Sequence, residues 1–226
     1  AEGERIDTTE MVINKISDRL YHIGQNGGFS LFADTSIGIV AAGGGYPGLT
    51  ARLDSFHNAS ERFKPLSQQV VTHHHSDHIG GLGEAVQLGA RLLTVAENID
   101  TIKQSITPEP NDSAFYRSGA RTTLGDARNT IEVYEISTSH AEKFLVMYAP
   151  TEKTIFIADH FGSPFATGLP TASLSSVELL NQLNKLNISV NKITTAHNAR
   201  IFTMKELRDS VARYKEVTCS ANRPVC

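Results

Sequence analysis

The segment Thr72-His73-His74-His75-Ser76-Asp77-His78-Ile79-Gly80-Gly81 holds four of the chain's nine histidines within six positions, with a carboxylate among them and two glycines behind. Imidazole nitrogen and carboxylate oxygen are the donors that zinc and similar borderline cations favour. An extended approach over residues 69–72 puts His73 and His75 on one side of the chain and His74 on the other. A helix beginning near Ile79 sets Asp77 and His78 at its mouth, where glycines let backbone come close. The segment therefore offers two ligand pairs, His73/His75 and Asp77/His78, aimed at neighbouring points. The competing reading is a polar, histidine-rich surface loop, but a tag-like run has neither a buried strand before it nor an apolar helix after it.

Three more donors sit where strands are predicted to end. His140 lies in the loop Ser137-Thr138-Ser139-His140, Asp159 closes an apolar strand over 154–158, and His197 follows another over 192–195. Taken singly, each reads equally well as a satisfied structural residue. Taken with the cluster, they supply enough donors for two cations. His160, next to Asp159, is a candidate proton donor or substrate contact, with a supporting structural role as the stronger reading. His74, His22 and His57 read as surface or packing residues.

The elements that position these groups follow from hydrophobic patterning. Short β-type runs are expected over 11–16, 20–24, 29–33 and 38–41, then a glycine-rich turn (Gly43-Gly44-Gly45-Tyr46-Pro47-Gly48) and a helix over 49–63. That turn matches no nucleotide-binding loop and reads as a tight turn. The strand over 69–72 delivers the histidines; helices over 79–88 and 97–106 flank a strand over 91–95. Residues 107–121 look irregular, with Phe115 and Tyr116 as either substrate contacts or loop anchors. Strands over 131–136 and 144–149 precede the two already named. Another irregular stretch covers 160–171. A helix over 175–186 starts with a Ser175/Glu178 capping box, and a last one follows a Thr203/Glu206 box.

The cluster His73-His74-His75-Ser76-Asp77-His78 matches the H-x-H-x-D-H signature of the metallo-β-lactamase fold superfamily in full. The stretch from His140 to Pro150, Ile155-Phe156-Ile157-Ala158-Asp159 and Thr195-Ala196-His197 also resemble segments of that superfamily, so the likeness runs from about Ile16 to His197. The resemblance implies an α+β, four-layer αββα sandwich: two mostly antiparallel sheets face to face, with helices outside. It implies that His73, His75 and His140 hold one metal, that Asp77, His78 and His197 hold the other, and that Asp159 bridges them. Two Zn2+ ions are expected, with iron or manganese as alternatives. The best-known zinc β-lactamases carry cysteine at the bridging position. Asp159 is closer to the glyoxalase II and lactonase side, and β-lactam hydrolysis becomes the minority reading. Two departures stand out. Ala41 replaces the aspartate of the usual V-D-x-G pattern, and Ala141-Glu142-Lys143 replaces a common Thr-Pro-Gly.

The expected activity is hydrolysis of a lactone, ester, thioester or amide by a metal-bridging hydroxide, with Asp77 orienting the water and accepting its proton. The alternatives are an oxidoreductase like the mononuclear-iron persulfide dioxygenases and a metal-stabilised, non-catalytic binding protein. Composition narrows the partners. With 40% hydrophobic and 20% charged residues over 226 positions, one domain over 1–226 is expected, and the net charge of -3 provides no basic field for nucleic acid. No apolar run reaches the ~18–20 residues needed to cross a bilayer. The partner is therefore expected to be a small-molecule substrate. Cys219 and Cys226 suggest a disulfide-closed tail and a periplasmic or secreted protein, with free thiols in the cytoplasm as the alternative.

Overall fold

The computed structural model describes residues 10–216; Cys219 and Cys226, and the tail they were expected to close, lie outside the described residues. The first sheet runs in chain order: β1 (Val12–Lys15), β2 (Leu20–Gln25), β3 (Gly28–Thr35), β4 (Gly38–Ala42), β5 (Leu66–Val70), β6 (Arg91–Thr94) and β7 (Phe115–Arg117). The second sheet contains β8 (Arg121–Leu124), β9 (Ile131–Ile136), β10 (Phe144–Ala149), β11 (Thr154–Phe156), β12 (Lys192–Thr194) and β13 (Phe202–Thr203) in sequential order. The second sheet is antiparallel except at β11–β12. The first is split: antiparallel from β1 to β4, parallel from β4 to β7. The parallel half arises because helical crossovers separate those strands.

Alternation along the strands explains the layering. Leu31, Ala33, Val40 and Ala42 face the second sheet, where Val133, Val146 and Phe156 belong to the same buried cluster. Phe32, Ile39 and Ala41 face outward into a second cluster with Leu49, Leu53 and Phe56 of α1 (Leu49–Ser60) and Leu82 of α3 (Leu82–Gln87). Leu179 and Leu183 of α5 (Leu174–Leu186) and Leu207 of α6 (Met204–Ala212) cover the far face of the second sheet. Strands such as β10, buried along their whole length, are sandwiched on both faces. Each large side chain fully buried there contributes about 1.5–3 kcal/mol.

Several details differ from the sequence expectation: β5 ends at Val70 and not Thr72, β8 and β13 are strands that no pattern announced, and the first sheet is half parallel. The helix predicted over 79–88 is two pieces, α2 (Ser76–Ile79) and α3, because Gly80 and Gly81 pack against the glycine-rich turn. The irregular stretch 107–121 contains β7, three residues too short for a periodic signal. Phe115 is buried in the core there, and Tyr116 lies under the Arg91 guanidinium, so both are anchors. The helix over 175–186 starts at Leu174, capped by Ser173 with Ser176, which frees Glu178 for another partner. The Thr203/Glu206 box forms as expected. A 3-10 turn (Ala96–Asn98) precedes α4 (Ile99–Ser105). Among the described residues, no helix is long and apolar enough to cross a membrane.

Candidate metal centre

The chain leaves β5 at Val70 and runs extended to His75, where α2 begins. Leu145 N–H, in β10 of the opposite sheet, donates to Thr72 O at 2.7 Å and fixes this loop across the sandwich. The loop also rests on a backbone-to-backbone seam. A Cβ on Gly45 would overlap the main chain of His78, one on Gly81 would overlap Tyr46, and Gly81 N–H donates to Gly45 O at 2.5 Å. The glycine-rich turn is thus the seat of α2, which carries Asp77 and His78.

All seven donors expected from the sequence converge. They form two groups, His73/His75/His140 with Asp159, and Asp77/His78/His197, the ligand atoms within each lying within 4.8 Å of one another. Asp159 divides its oxygens between the groups. Its Oδ2 lies 2.9 Å from His140 Nε2 and 3.3 Å from His73 Nε2. Its Oδ1 lies 2.9 Å from His78 Nε2 and 2.7 Å from His197 Nε2. Asp77 Oδ2 stands 3.4 Å from His78 Nε2 and 3.6 Å from His197 Nε2, on a side chain still 43% exposed.

The donor chemistry fits divalent cations. His197 Nδ1–H donates to Gly27 O at 3.2 Å, so a neutral ring turns its Nε2 lone pair toward the Asp159 carboxylate. Two acceptors at that distance repel unless a proton or a cation lies between them. His140 Nε2 and His73 Nε2 are 3.2 Å apart, close to the ~3.3 Å expected for two nitrogens on one four-coordinate ion. His78 Nε2 and Asp159 Oδ1 are buried without a hydrogen-bond partner of proper geometry. That is the pattern left by groups aimed at a common point rather than at each other.

The electrostatics agree. Burial pushes the Asp159 carboxyl up, but the adjacent His197, His73 and His78 rings outweigh it and hold the group ionised, well below the usual carboxylate range. Burial pulls His73 down to about 4 despite its bond to Asp159. His75 is lowered too, by burial and by His140 and His74. His197 goes the other way, raised chiefly by its contact with Asp159. The lowered His73 and His75 are thus neutral rings with available lone pairs, as metal coordination requires, whereas His197 would give up a proton to a bound cation.

Supporting residues were partly invisible in the sequence. Glu178 Oε2 accepts from Ser139 N–H (2.9 Å) and Oγ–H (2.7 Å), and Gln182 Nε2–H donates to Ser137 O at 2.6 Å, so α5 clamps the loop that bears His140. His160 is 1% exposed; its Nδ1 donates to Ile157 O and its Nε2 accepts from Thr138 Oγ at 2.9 Å. With both nitrogens engaged, His160 braces the His140 loop and is not placed as a proton donor. Glu84 accepts from Gly48 and Thr50 N–H and caps α1, which lacks a local cap. Ala158, directly before Asp159, has φ 51, a left-handed conformation that turns the carboxylate into the site. Ala41 is fully buried in the apolar cluster outside the first sheet. His22, also fully buried, donates from Nε2 to Thr195 O at 2.9 Å and stacks on Phe29, while His74 is exposed.

No protein-family model matches this sequence, and no curated protein matches it. Solved structures do. A metallo-β-lactamase from Pontibacter korlensis aligns over 89% of this chain and 97% of its own, at 17% identity and a TM-score of 0.67. The metallo-β-lactamase FIM-1 from Pseudomonas aeruginosa, in a mono-zinc form, aligns over 89% and 93% at 14% identity, with a TM-score of 0.65. The sec-alkyl sulfatase PisA1 aligns over 88% of this chain but 40% of its own, at 15% identity and a TM-score of 0.61. The shared architecture is the metallo-β-lactamase fold.

Proposed function

We propose that this chain, built on the metallo-β-lactamase fold, is a hydrolase that holds two divalent cations and cleaves a carboxylic derivative: a lactone, ester, thioester or amide. The observation that carries this reading is the division of Asp159, one oxygen to each of two histidine groups. His73, His75 and His140 would hold one cation, and Asp77, His78 and His197 the other. The mixed nitrogen and oxygen donors suit zinc first, with iron or manganese as substitutes. Bound cations supply Lewis acidity toward the carbonyl and a water acidic enough to ionise near neutral pH.

The protein's own residues do the rest. Asp77 stands on the open side of the site, where its carboxylate orients the attacking water and accepts the proton that water gives up. The buried walls around His73 and Phe144 exclude bulk water and strengthen every charge interaction within. His160 keeps the His140 loop in place. Asp159, at the position where the best-known zinc β-lactamases carry cysteine, supports ranking esters and lactones above β-lactams as substrates.

Elemental analysis of protein purified without chelator, with a panel of ester, thioester, lactone and β-lactam substrates assayed with and without chelator, tests the proposal. Two zinc per chain and chelator-sensitive turnover are expected, with Asp77→Asn folded but slower by about two orders of magnitude or more. One iron per chain with oxygen consumption on a persulfide would point to the dioxygenase reading instead. Stoichiometric metal without turnover of any substrate would leave a binding protein.

A further inference from the structure

We infer that Arg52 is a positioning residue for the Asp77/His78/His197 group: its buried guanidinium gathers the carbonyls of the glycine-rich turn and so sets where those three ligands stand. This rests on the two-cation reading above and assigns a support that the ligands themselves do not reveal. Arg52, on α1, is 3% exposed. Its Nη2 donates to Tyr46 O at 2.9 Å, its Nη1 to Pro47 O at 3.2 Å and its Nε to Ser30 Oγ at 3.0 Å. Ser30 Oγ–H passes the contact on to Gly43 O at 2.6 Å. One side chain thus collects three carbonyls of a single turn, two directly and one through a hydroxyl.

A buried cation ordinarily answers to a carboxylate. Glu84, the carboxylate whose charge Arg52 feels, is turned instead to the far end of the same turn, where it accepts from Gly48 N–H at 2.5 Å and Thr50 N–H at 2.8 Å. The turn is therefore gripped by opposite charges: a cation on its carbonyls and an anion on its N–H groups. Burial lowers the guanidinium from its ordinary 12.5 to about 10, so it remains charged at neutral pH. Taking a cation out of water is costly, and an apolar residue on this face of α1 would avoid that cost. What the charge contributes is direction. A planar fork with three bonded nitrogens fits one arrangement of the oxygens around it, and the glycines of the turn have no side chains with which to hold themselves.

The turn carries this geometry to three ligands. Asp77 and His78 sit on α2, whose main chain abuts Gly45, the residue that accepts from Gly81 N–H. Tyr46, whose carbonyl Arg52 holds, sets its ring edge-on to His197. A Cβ on Gly28 would lie 3.2 Å from Tyr46 Cβ, and Gly28 adjoins Gly27, the residue whose carbonyl accepts from His197 Nδ1. The other donor group is held elsewhere: His73 and His75 follow β5, and the His140 loop hangs from α5. Loss of Arg52 is therefore expected to loosen one cation and spare the other.

The test titrates metal-free protein with Zn2+ while NMR follows the histidine rings, in the wild type, Arg52→Met and Arg52→Lys. In Arg52→Met, His78 and His197 should saturate at about ten- to hundred-fold higher free Zn2+, with His73 and His140 changed by less than about two-fold. Arg52→Lys, which keeps the charge but not the fork, should fall between Arg52→Met and the wild type. In Arg52→Ala, millimolar ethylguanidinium, which replaces the deleted atoms, should recover most of the lost affinity at His78 and His197. Equal weakening of both groups, an unchanged second group or no recovery with ethylguanidinium overturns the inference and leaves the two-cation reading intact. Where urea melts show that Arg52→Met and Arg52→Ala do not fold, Arg52→Lys decides by the same selectivity. If the wild type takes up no second cation, the two-cation reading falls and hydrogen exchange in the metal-free protein decides the role of Arg52. Exchange about ten-fold faster at Gly81 and His78 N–H in Arg52→Lys, with Leu145 N–H unchanged, supports it, and unchanged exchange at all three overturns it.

Discussion

The half-site of His73, His75 and His140 and the half-site of Asp77, His78 and His197 share one carboxylate but are built on different principles. In the first, His73 is fully buried and the His140 loop is clamped by side chains: Glu178 and Gln182 from α5, and the Thr138–His160 pair beneath. In the second, support comes from main chain. The Gly27 carbonyl of the hairpin turn holds His197, and α2 lies on a glycine seam. Both halves reach solvent through one ring, His140 at 26% and His197 at 31% side-chain exposure, and the second adds Asp77 at 43%. Two nearly equal donor sets are thus held by different means, one by side chains of a covering helix and the other by main chain.

The sharpest way to break this comparison is to remove what the halves share. Asp159→Asn should release both cations and lower turnover by about a thousand-fold or more. Retention of two metals in that variant would mean that the halves are independent. Next in size, Glu178→Ala should free the His140 loop and weaken one cation about ten- to hundred-fold while sparing the other, as read by chelator competition. Equal weakening of both would erase the distinction drawn between side-chain and main-chain support.

In one respect the halves are alike. His160 beneath the first and His22 beneath the second are buried rings, each pulled down to about 4 mainly by loss of water. Because the folded value lies below the unfolded one of about 6.5, the unfolded chain binds more protons between those values. Stability is therefore fully present above about pH 6.5 and is lost as pH falls toward 4, by up to about 1.4 kcal/mol per pH unit for each ring. Urea midpoints of the metal-free protein from pH 7 to pH 4.5 should show this slope, and His22→Gln should make it shallower. An unchanged slope would show that His22 is not buried as a neutral ring.

The smallest effect concerns Ala158, which serves both halves equally. A left-handed alanine costs about 1–2 kcal/mol, so Ala158→Gly should change stability by no more than ~1 kcal/mol after the lost methyl and the added chain entropy are counted. Ala158→Val should destabilise clearly more, because a β-branched side chain fits that conformation worst. Thermal melts of the pair would show the order, and a stabilising valine would rule out the strain.

The donors were legible because ligand chemistry restricts residue type: few side chains bind borderline cations, and four of them fell within six positions. The sandwich was legible through strands whose inward and outward residues alternate, as in β3 and β4. What escaped was set by tertiary contact. Glu178 fits a local capping box on paper, but Ser173 and Ser176 take that role and leave it to reach 39 positions back to Ser139. β7 exists because Phe115 finds a buried place beside β6, not because three residues carry a pattern. Tyr46, edge-on to His197 with ring centroids 5.8 Å apart, gave no signal beyond its glycine neighbours.

The contact of Gly45 with His78 has a consequence for how this protein can change. Most crowded positions tolerate a larger residue if a neighbour shrinks, because side chains can trade volume. Here there is nothing to trade: both surfaces are bare peptide, and an added methyl meets main chain. A search for second-site revertants of Gly45→Ala should therefore return changes that re-route the chain, such as loop-length variants, and no compensating side-chain swaps. The position of α2, and with it the spacing between the two donor groups, is inherited as backbone geometry and is closed to gradual adjustment.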